Sequence, residues 1–525
     1  MKYVITEDDK SAILQGEVNY YYRIYVLDHA GKILDVLNDF IISDFNINSD
    51  SNIRRTLAVI VHKKYNVTQY INTCLQYNFK LQIGVYSFRT ADIIWYDCGM
   101  FVPVNASSVH DAANNSITFS MADQFAKLDG TRNGQAGGAQ TILIPNQDEE
   151  GNFIEIKSAL INFIKTEGIS NYIVDDIGEF YGIQSNNPEG YEDYRQDNPM
   201  WNKLPYDLEF DGGSTIADII TEIVTLYPNV QAYFDIYNNF CSGMIPSCTH
   251  NPIEIDKEFI QNVLISENSE NVDYDIQNIY NVTEVFGKIY DVDRYADSCS
   301  TSSNDYAITL PNYEKFSAYE YIAFTPNTTN VSPTKLKINS LSAIPIYNEH
   351  TTTFASSGSI IANEMCVVRI MRDKDKNYVA YYLGKYQPHA ICVLTDDVND
   401  SVYTKEYFAD KYNCKNIILR EERNSPFTVQ RIGEVLEVKS GSEFENILSD
   451  TVAAENAIYY NQISSSENET VTISTKLIPW LDVQCKLSYQ KSQEEDNYEY
   501  ITQSIQNSDT TSTITMKKFY PLYYK

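Results

Sequence analysis

Basic residues are scarce in this chain: 40 Lys and Arg stand against 71 Asp and Glu, a formal net charge of −31 over 525 residues. Binding nucleic acid without regard to sequence depends on Lys and Arg neutralising phosphates, so a general DNA- or RNA-binding role is excluded unless the charge is strongly segregated. The acidity keeps a large surface soluble; it also suits a wall that DNA slides past without sticking. Long apolar runs are missing too, since nothing approaches the roughly 20 consecutive apolar residues of a membrane span. The first residues meet Glu7, Asp8 and Asp9 too early for a secretory signal, so synthesis in a cytoplasm is expected.

Catalytic and metal-binding signatures are equally thin. The six histidines (His29, His62, His110, His250, His350, His389) form no His-Glu-x-x-His or comparable pair. The nine cysteines (Cys74, Cys98, Cys241, Cys248, Cys299, Cys366, Cys392, Cys414, Cys485) are odd in number and scattered. Without a Cys-x-x-Cys pair they indicate neither a zinc site nor a disulfide framework, and they read as buried thiols. No Gly-x-Ser-x-Gly elbow or local Cys–His signature occurs. The Gly-rich segment Asp129–Gly138 is followed by Ala139-Gln140-Thr141 and not by the Lys-Ser/Thr of a phosphate loop, so it reads as a linker. Asp291, Asp293 and Asp297 lack the Gly and terminal Glu of an EF-hand and read as a solvated acidic loop. Glu149-Glu150 and Glu494-Glu495-Asp496 fall in apparent turns, and no glycosidase pair can be picked out of so many carboxylates. A non-enzyme is expected, with no catalytic residue, cofactor or metal.

What is present is mostly strand. Hydrophobic content is 43%, and 42 tyrosines favour strands and wet interfaces. At about 150 residues per domain the length allows three or four. Strands are expected at Asn19–Val26, Phe40–Ile47, Asp50–Val61, Phe79–Tyr86 and Cys98–Val104, the Asp50–Val61 strand apolar on both faces like a central strand. A short helix is expected over Ser120–Leu128, stopped by Asp129-Gly130. The middle third is more helical. Glu155–Gly168 sets Leu160, Phe163 and Ile164 on one face, and Gly213–Ile223 carries an Ile216/Ile219/Ile220/Ile223 stripe with Ser214 or Thr215 as N-cap. With the strand Val230–Tyr237 and a loop at Asn186–Pro199, these make a small α+β domain. Further on, Tyr280–Gly287 is a strand, Arg294–Asn304 reads as a mobile polar loop, and Ser449–Tyr460 is a capped helix with Ala453, Ala457 and Tyr460 at helical spacing. The end is a meander, Val483–Tyr489, Tyr498–Ile505 and Ser512–Phe519, whose last strand alternates Ile514 and Met516 with Thr513, Thr515 and Lys517.

Several of these segments, in this order, resemble the phage tail hub (baseplate hub) family. The resemblance rests on Asp50–Thr56 with its Ile53-Arg54-Arg55-Thr56, on Gly99–Pro103, and on Asp123–Gly134 with Phe125, Leu128, Gly130 and Arg132-Asn133-Gly134. It continues through Asn281–Gly287, Tyr386–Ile391, Asn424–Val429, the Ser449–Tyr460 helix, and the closing segment from Ile478-Pro479-Trp480 through Tyr500-Ile501-Thr502-Gln503-Ser504-Ile505. It covers residues 20–525 and is weakest over 295–385. It implies a mainly β fold with α+β parts, in which two tail-tube-like antiparallel β-barrel domains lie beside smaller α+β domains. The expected division is a first barrel over 1–145, a small α+β domain over 146–250, a second barrel over 251–400 with an insertion around 295–385, and over 401–525 an α+β segment with the second barrel's closing strands. The resemblance further implies a virion protein, made in a bacterial cytoplasm, that caps the distal tail tube as a homotrimeric ring. Its partners would be the tail tube or distal tail ring protein, the tape measure protein and tail-tip or fibre proteins. It would neither bind nucleic acid specifically nor span a membrane. Since no lysin-like segment follows the meander, wall-degrading chemistry is expected on a separate chain. The alternative from composition alone is a carbohydrate-binding β-rich surface or receptor-binding protein.

Overall fold

A computed structural model describes residues 4–62, 77–110, 115–137, 141–148, 150, 152–175, 202–204, 206–226, 230–244, 254–266, 270–296, 298–302, 304–348, 351–448, 450–492 and 496–518. The expected Asn186–Pro199 loop, Cys74, Cys248, His250, His350, Glu149, Glu494-Glu495 and the tail from Phe519 lie outside the described residues. The chain forms two compact units. One holds the described residues up to 175, those of 202–278 and those from 467 onwards; the other holds 279–466.

The first unit is built on one sheet. Its opening strands are β1 (Tyr20–Leu27), β2 (Ile33–Leu37), β3 (Phe40–Asn48), β4 (Arg55–His62), β5 (Asn78–Ser87), β6 (Asp92–His110) and β7 (Asn115–Asp123), hydrogen-bonded in the order β3-β4-β7-β6-β5-β1-β2. The free edge of β3 is taken by Tyr498–Asn507, with Ser504 opposite Asn48 and Asn507 opposite Phe45. Thr511–Lys518, Asn468–Lys476 and Glu270–Asp275 then follow outward, so strands from the two ends of the chain share one sheet. The sheet curls back on itself: the Tyr20 hydroxyl of β1 donates to the Leu477 carbonyl at 2.7 Å, and the Tyr22 hydroxyl donates to the Asp509 carbonyl. Alternation decides what lies inside. Leu57, Val59 and Val61 of β4 are buried, while Ala58 and Ile60 are half-buried, so β4 has one core face where two were expected. Ile514 and Met516 are fully buried in the same core, between half-buried Thr513, Thr515 and Lys517.

Beside this sheet lies the expected α+β layer. Helix Ile156–Thr166 buries Leu160, Phe163 and Ile164, and helix Ile216–Thr225 buries the whole isoleucine stripe. Thr215 is the N-cap: its hydroxyl accepts the Asp218 N–H while the Asp218 carboxylate accepts the Thr215 N–H, a reciprocal capping box. The expected strand to Tyr237 is shorter, Val230–Phe234, because Asp235 folds the chain into a turn by accepting the N–H groups of Tyr237 and Asn239. The helix expected at Ser120–Leu128 is instead the end of β7 and a single 3₁₀ turn, Gln124–Lys127. Pairing of β7 with β4 and β6 outweighs the local helical pattern. An additional helix, Glu7–Ile13, is capped by Thr6 and packs Ala12 and Ile13 into the sheet's core.

Among the described residues the second unit is continuous in sequence and has two layers of different character. Val282–Phe286, His389–Thr395, Ile417–Glu421 and Leu436–Lys439 form a four-stranded mixed sheet with two parallel pairs. Helix Asp450–Ser464 packs on it through Ala453, Ala454, Ala457 and Ile458, with Tyr460 half-buried at its margin. The alanines let the helix axis come close to the strands, and Phe408 of helix Lys405–Tyr412 belongs to a separate core with Ile391 and Val393. The Tyr280–Gly287 strand, expected to open a second barrel, therefore sits in an α/β layer. The closing strands, expected in that same second barrel, complete the first unit's sheet. Strand pairing in the first unit joins segments that lie hundreds of residues apart. Residues 294–385 form an eight-stranded sheet with its own core of Tyr306, Ile322, Phe324, Leu336, Ile346 and Val368. Within it Ser298–Ser302, expected as a mobile loop, pairs with Asp305–Thr309.

Candidate functional site

Three segments marked separately in the sequence meet at one point of the first unit. Arg54 and Arg55, at the start of β4, are only 3% and 1% exposed. Pairing of β4 with β7 sets Ala122 opposite Thr56 and so brings Asp123 to the arginines. Asp123 Oδ2 accepts the backbone N–H of Arg54 at 2.8 Å and of Arg55 at 3.0 Å, and Oδ1 accepts that of Phe125 at 2.9 Å. The Arg55 guanidinium donates through Nη1 to the Phe234 carbonyl at 3.0 Å and pairs through Nη2 with Asp482, from the Pro479-Trp480-Leu481-Asp482 segment. Arg54 takes another direction, its guanidinium 3.2 Å from the Tyr233 ring centroid and donating to Gln231 Oε1 at 3.0 Å. Both arginines are thus consumed inside the chain. The carboxylates they meet, Asp123 and Asp482, belong to this chain.

Burial pushes the Asp123 carboxyl up to about 6, even though the N–H groups of Arg55 and Phe125 favour its charged form. Burial lowers Arg54 below its usual range. For Arg55 burial also opposes the charge, but Asp482 and Asp123 outweigh it and hold the guanidinium above its ordinary value. The pair is buried on one side only, since the Asp482 side chain is 33% exposed; removing Asp482 would strand the buried Arg55 guanidinium at a cost of about 3–5 kcal/mol. The node is therefore a structural rivet between strand, turn and closing segment.

Beside Arg55 lies a cleft of about 140 Å³ with Trp95, Tyr237 and Trp480 among its aromatic lining and Gln82, Asp97 and Asp482 among its polar groups. A cross-strand row supports one wall. Arg23 Nε donates to Gln82 Oε1 at 2.7 Å, Gln82 Nε2 to Asp97 Oδ1 at 2.5 Å, and Lys80 Nζ lies 2.9 Å from Asp97 Oδ2. The Arg23 guanidinium lies 3.7 Å from the Trp95 ring centroid. Sequence reasoning missed this cleft; alternating polar residues at 80 and 82 opposite 97 were the only trace of it, and the partner strands become visible only with the register.

In the second unit, His389 Nε2 lies 2.8 Å from Glu284 Oε1, and its ring stacks on Phe286 at 4.2 Å. This pair joins two adjacent strands, which the histidine spacing could not reveal. Asn461, from helix Asp450–Ser464, is fully buried; its Nδ2 donates to Thr283 Oγ1 and the Cys392 carbonyl, and its Oδ1 accepts Arg420 Nε at 3.0 Å. Asp293, in the acidic loop, accepts the Tyr321 N–H at 2.8 Å, a structural use. Cys98, Cys241, Cys366, Cys392, Cys414 and Cys485 are buried and Cys299 is half-buried; burial pushes the Cys98 and Cys392 thiols up to about 12, which leaves them unreactive at neutral pH. Among the described residues no cluster of His, Cys, Asp and Glu is arranged to hold a metal ion, and no helix is long and apolar enough to cross a membrane.

Over residues 424–523 the chain matches a family described as Domain of unknown function (DUF5048). No curated protein matches it. Among solved structures it is similar to the 43 kDa tail protein of prophage MuSo2 from Shewanella oneidensis, at TM-score 0.41 and 9% identity over 96% of this chain and 100% of that one. It is similar to the tail protein from Neisseria meningitidis MC58, at TM-score 0.41 and 7% identity over 95% and 96%. It is likewise similar to the prophage tail protein gp18 from Listeria monocytogenes EGD-e, at TM-score 0.42 and 10% identity over 94% of each chain.

Proposed function

We propose that the chain is a structural protein of a phage tail: a hub subunit that closes, as a homotrimeric ring, on the distal end of the tail tube and links it to tail-tip components. The observation that carries this is the convergence at Arg55. The Ile53-Arg54-Arg55-Thr56 segment, the Asp123–Gly134 turn and the Pro479-Trp480 segment each resemble hub proteins separately. In the fold they are one hydrogen-bonded node that ties the closing strands to the opening ones. Segments that share a single structural job support a shared family origin better than scattered matches do. The role is assembly and not catalysis. With both node arginines buried and a net charge of −31, a ring around a DNA path would present a neutral to acidic lumen, which DNA can traverse without binding. The tube or distal ring protein, the tape measure protein and fibre or tip proteins are the proposed neighbours.

Native mass measurement of the purified protein, alone and mixed with the tube protein of the same tail, tests the proposal. A trimer in either sample is expected. A monomer in both would overturn it, as would a trimer whose channel is lined continuously by Lys and Arg in an electron-microscopy map.

A further inference from the structure

We propose that the eight-stranded sheet of residues 294–385 carries the face on which a second copy of this chain docks, a carboxylate of that copy seated on Arg369. The inference rests on the homotrimer reading above and names the surface that makes the ring. Strand register builds the face. The neighbouring strands Glu320–Phe324, Cys366–Arg372, Tyr378–Lys385 and Ile344–Asn348 set Tyr321 opposite Arg369, Arg369 opposite Tyr381 and Tyr381 opposite Tyr347. Residues opposite one another point to the same side of a sheet. Their sequence neighbours Ile322, Ile370, Ala380 and Ile346 fill the core, so this row looks outward, each member half-buried. Tyr319 beside it is 66% exposed at φ +72°, a left-handed conformation that a bulky residue rarely adopts. The Arg369 guanidinium lies 5.1 Å from the Tyr321 ring centroid and 5.6 Å from that of Tyr319. It forms no ion pair among the described residues, and of its three nitrogens only Nε is buried.

Charge selects the occupant. Residues 294–385 hold nine Lys and Arg against eight Asp and Glu, whereas the rest of the chain holds 31 against 63. Of those nine, only Arg294 and Lys385 pair with a carboxylate among the described residues. Two copies at −31 each repel over most of their surfaces. Salt confines that repulsion to about 8 Å under physiological conditions, so the charge at the contact itself decides where copies can meet. This sheet is where their approach is not opposed. Its outward row adds Tyr and Arg, the residue types that dominate interface energies. An uncompensated guanidinium takes a carboxylate through two parallel hydrogen bonds, and every further copy brings an excess of carboxylates. In a ring the contact is heterologous, this face of one subunit meeting a different, acidic surface of the next.

Sedimentation and native mass measurement of the full chain over a range of concentrations test this, in whichever condition, with or without the tube protein, makes the parent a trimer. Arg369→Glu should raise the concentration of half-assembly about tenfold or more. Arg369→Gln keeps a planar head without the charge, and Tyr319→Gly removes the exposed ring at a backbone angle that glycine adopts freely. Each should raise that concentration about threefold, with the melting temperature of Tyr319→Gly not lowered. If all three variants assemble like the parent, the proposal is overturned and the hub reading stands. Binding of a poly-glutamate peptide that Arg369→Glu abolishes, with assembly unchanged, would overturn the second copy as occupant and give the face to a different acidic protein. A parent that stays monomeric in both conditions overturns the hub reading and this proposal with it.

Discussion

Among the described residues the first unit is assembled from stretches that lie at opposite ends of the chain, whereas the second is assembled from one. In the first, β3 pairs with Tyr498–Asn507 across more than four hundred residues of sequence, and the sheet is complete only once the last strands arrive. In the second, helix Asp450–Ser464 and the four strands beneath it all come from 279–466 and need nothing from either terminus. Non-local pairing must meet a loop-closure cost before any contact rewards it. The second unit should therefore be able to form first and leave the first unit's strands to close afterwards. The Arg55 node fits this difference: a buried ion pair is costly to build, and here it joins the two parts of the sheet most distant in sequence.

The sharpest way to break the comparison is Ile514→Asp. It puts a charge at a fully buried position of the last strand, which costs several kcal/mol, on the order of 4 or more. Hydrogen exchange on the full chain should show β3 and Tyr498–Asn507 losing protection while His389–Thr395 keeps it. Collapse of both regions together would mean that the second unit depends on the first. Next in size is Arg55→Ala, which takes the guanidinium from Asp482 and the Phe234 carbonyl while leaving the backbone N–H groups on Asp123 in place, and should destabilise the first unit by about 1.5–3 kcal/mol in a denaturant titration. In that variant the Asp123 carboxyl should titrate above its value of about 6 in the intact protein, as carboxyl-carbon NMR would record. The sign in the intact protein is fixed by the upward shift. The contribution of Asp123 to stability is fully present below the ordinary aspartate range, near 3.9, and is lost as pH rises through about 6.

A smaller, local effect is expected in the second unit. Asn461→Ala leaves Arg420 Nε, Thr283 and the Cys392 carbonyl short of a partner, and should cost about 1–3 kcal/mol with the exchange of β3 untouched. Smallest is Thr215→Ala, which removes one half of the capping box at about 1 kcal/mol. Its effect should be confined to helix Ile216–Thr225. A loss of Tyr498–Asn507 protection in that variant would show that the α+β layer and the sheet melt as one.

The local features were the legible ones. The isoleucine stripe of 216–223, the amphipathic helix ending at Gly168 and the Ile514/Met516 alternation each follow from a period that a single segment carries, and each is buried as that period requires. The errors have one cause. Ser120–Leu128 has a helical pattern, yet β4 and β6 offer Ser120–Asp123 two rows of ladder hydrogen bonds, and the strand wins. Ser298–Ser302 is polar enough for a loop, but Asp305–Thr309 pairs with it. The Tyr280–Gly287 strand carries no mark of whether its neighbours run parallel or antiparallel, so its α/β surroundings were invisible.

By itself, then, the sequence determined which short segments are helix or strand, which of their faces are apolar, and that the surface is acidic, because those properties reside in neighbouring side chains. Only the tertiary structure decided that the last strands complete the first sheet, that Arg54 and Arg55 are spent on Tyr233, Asp123 and Asp482, and that Trp95, Tyr237 and Trp480 share one cleft. Those facts depend on register between strands far apart in the chain. Register is set by the collective burial of a whole sheet, where a slip of one residue would turn every core side chain to the wrong face.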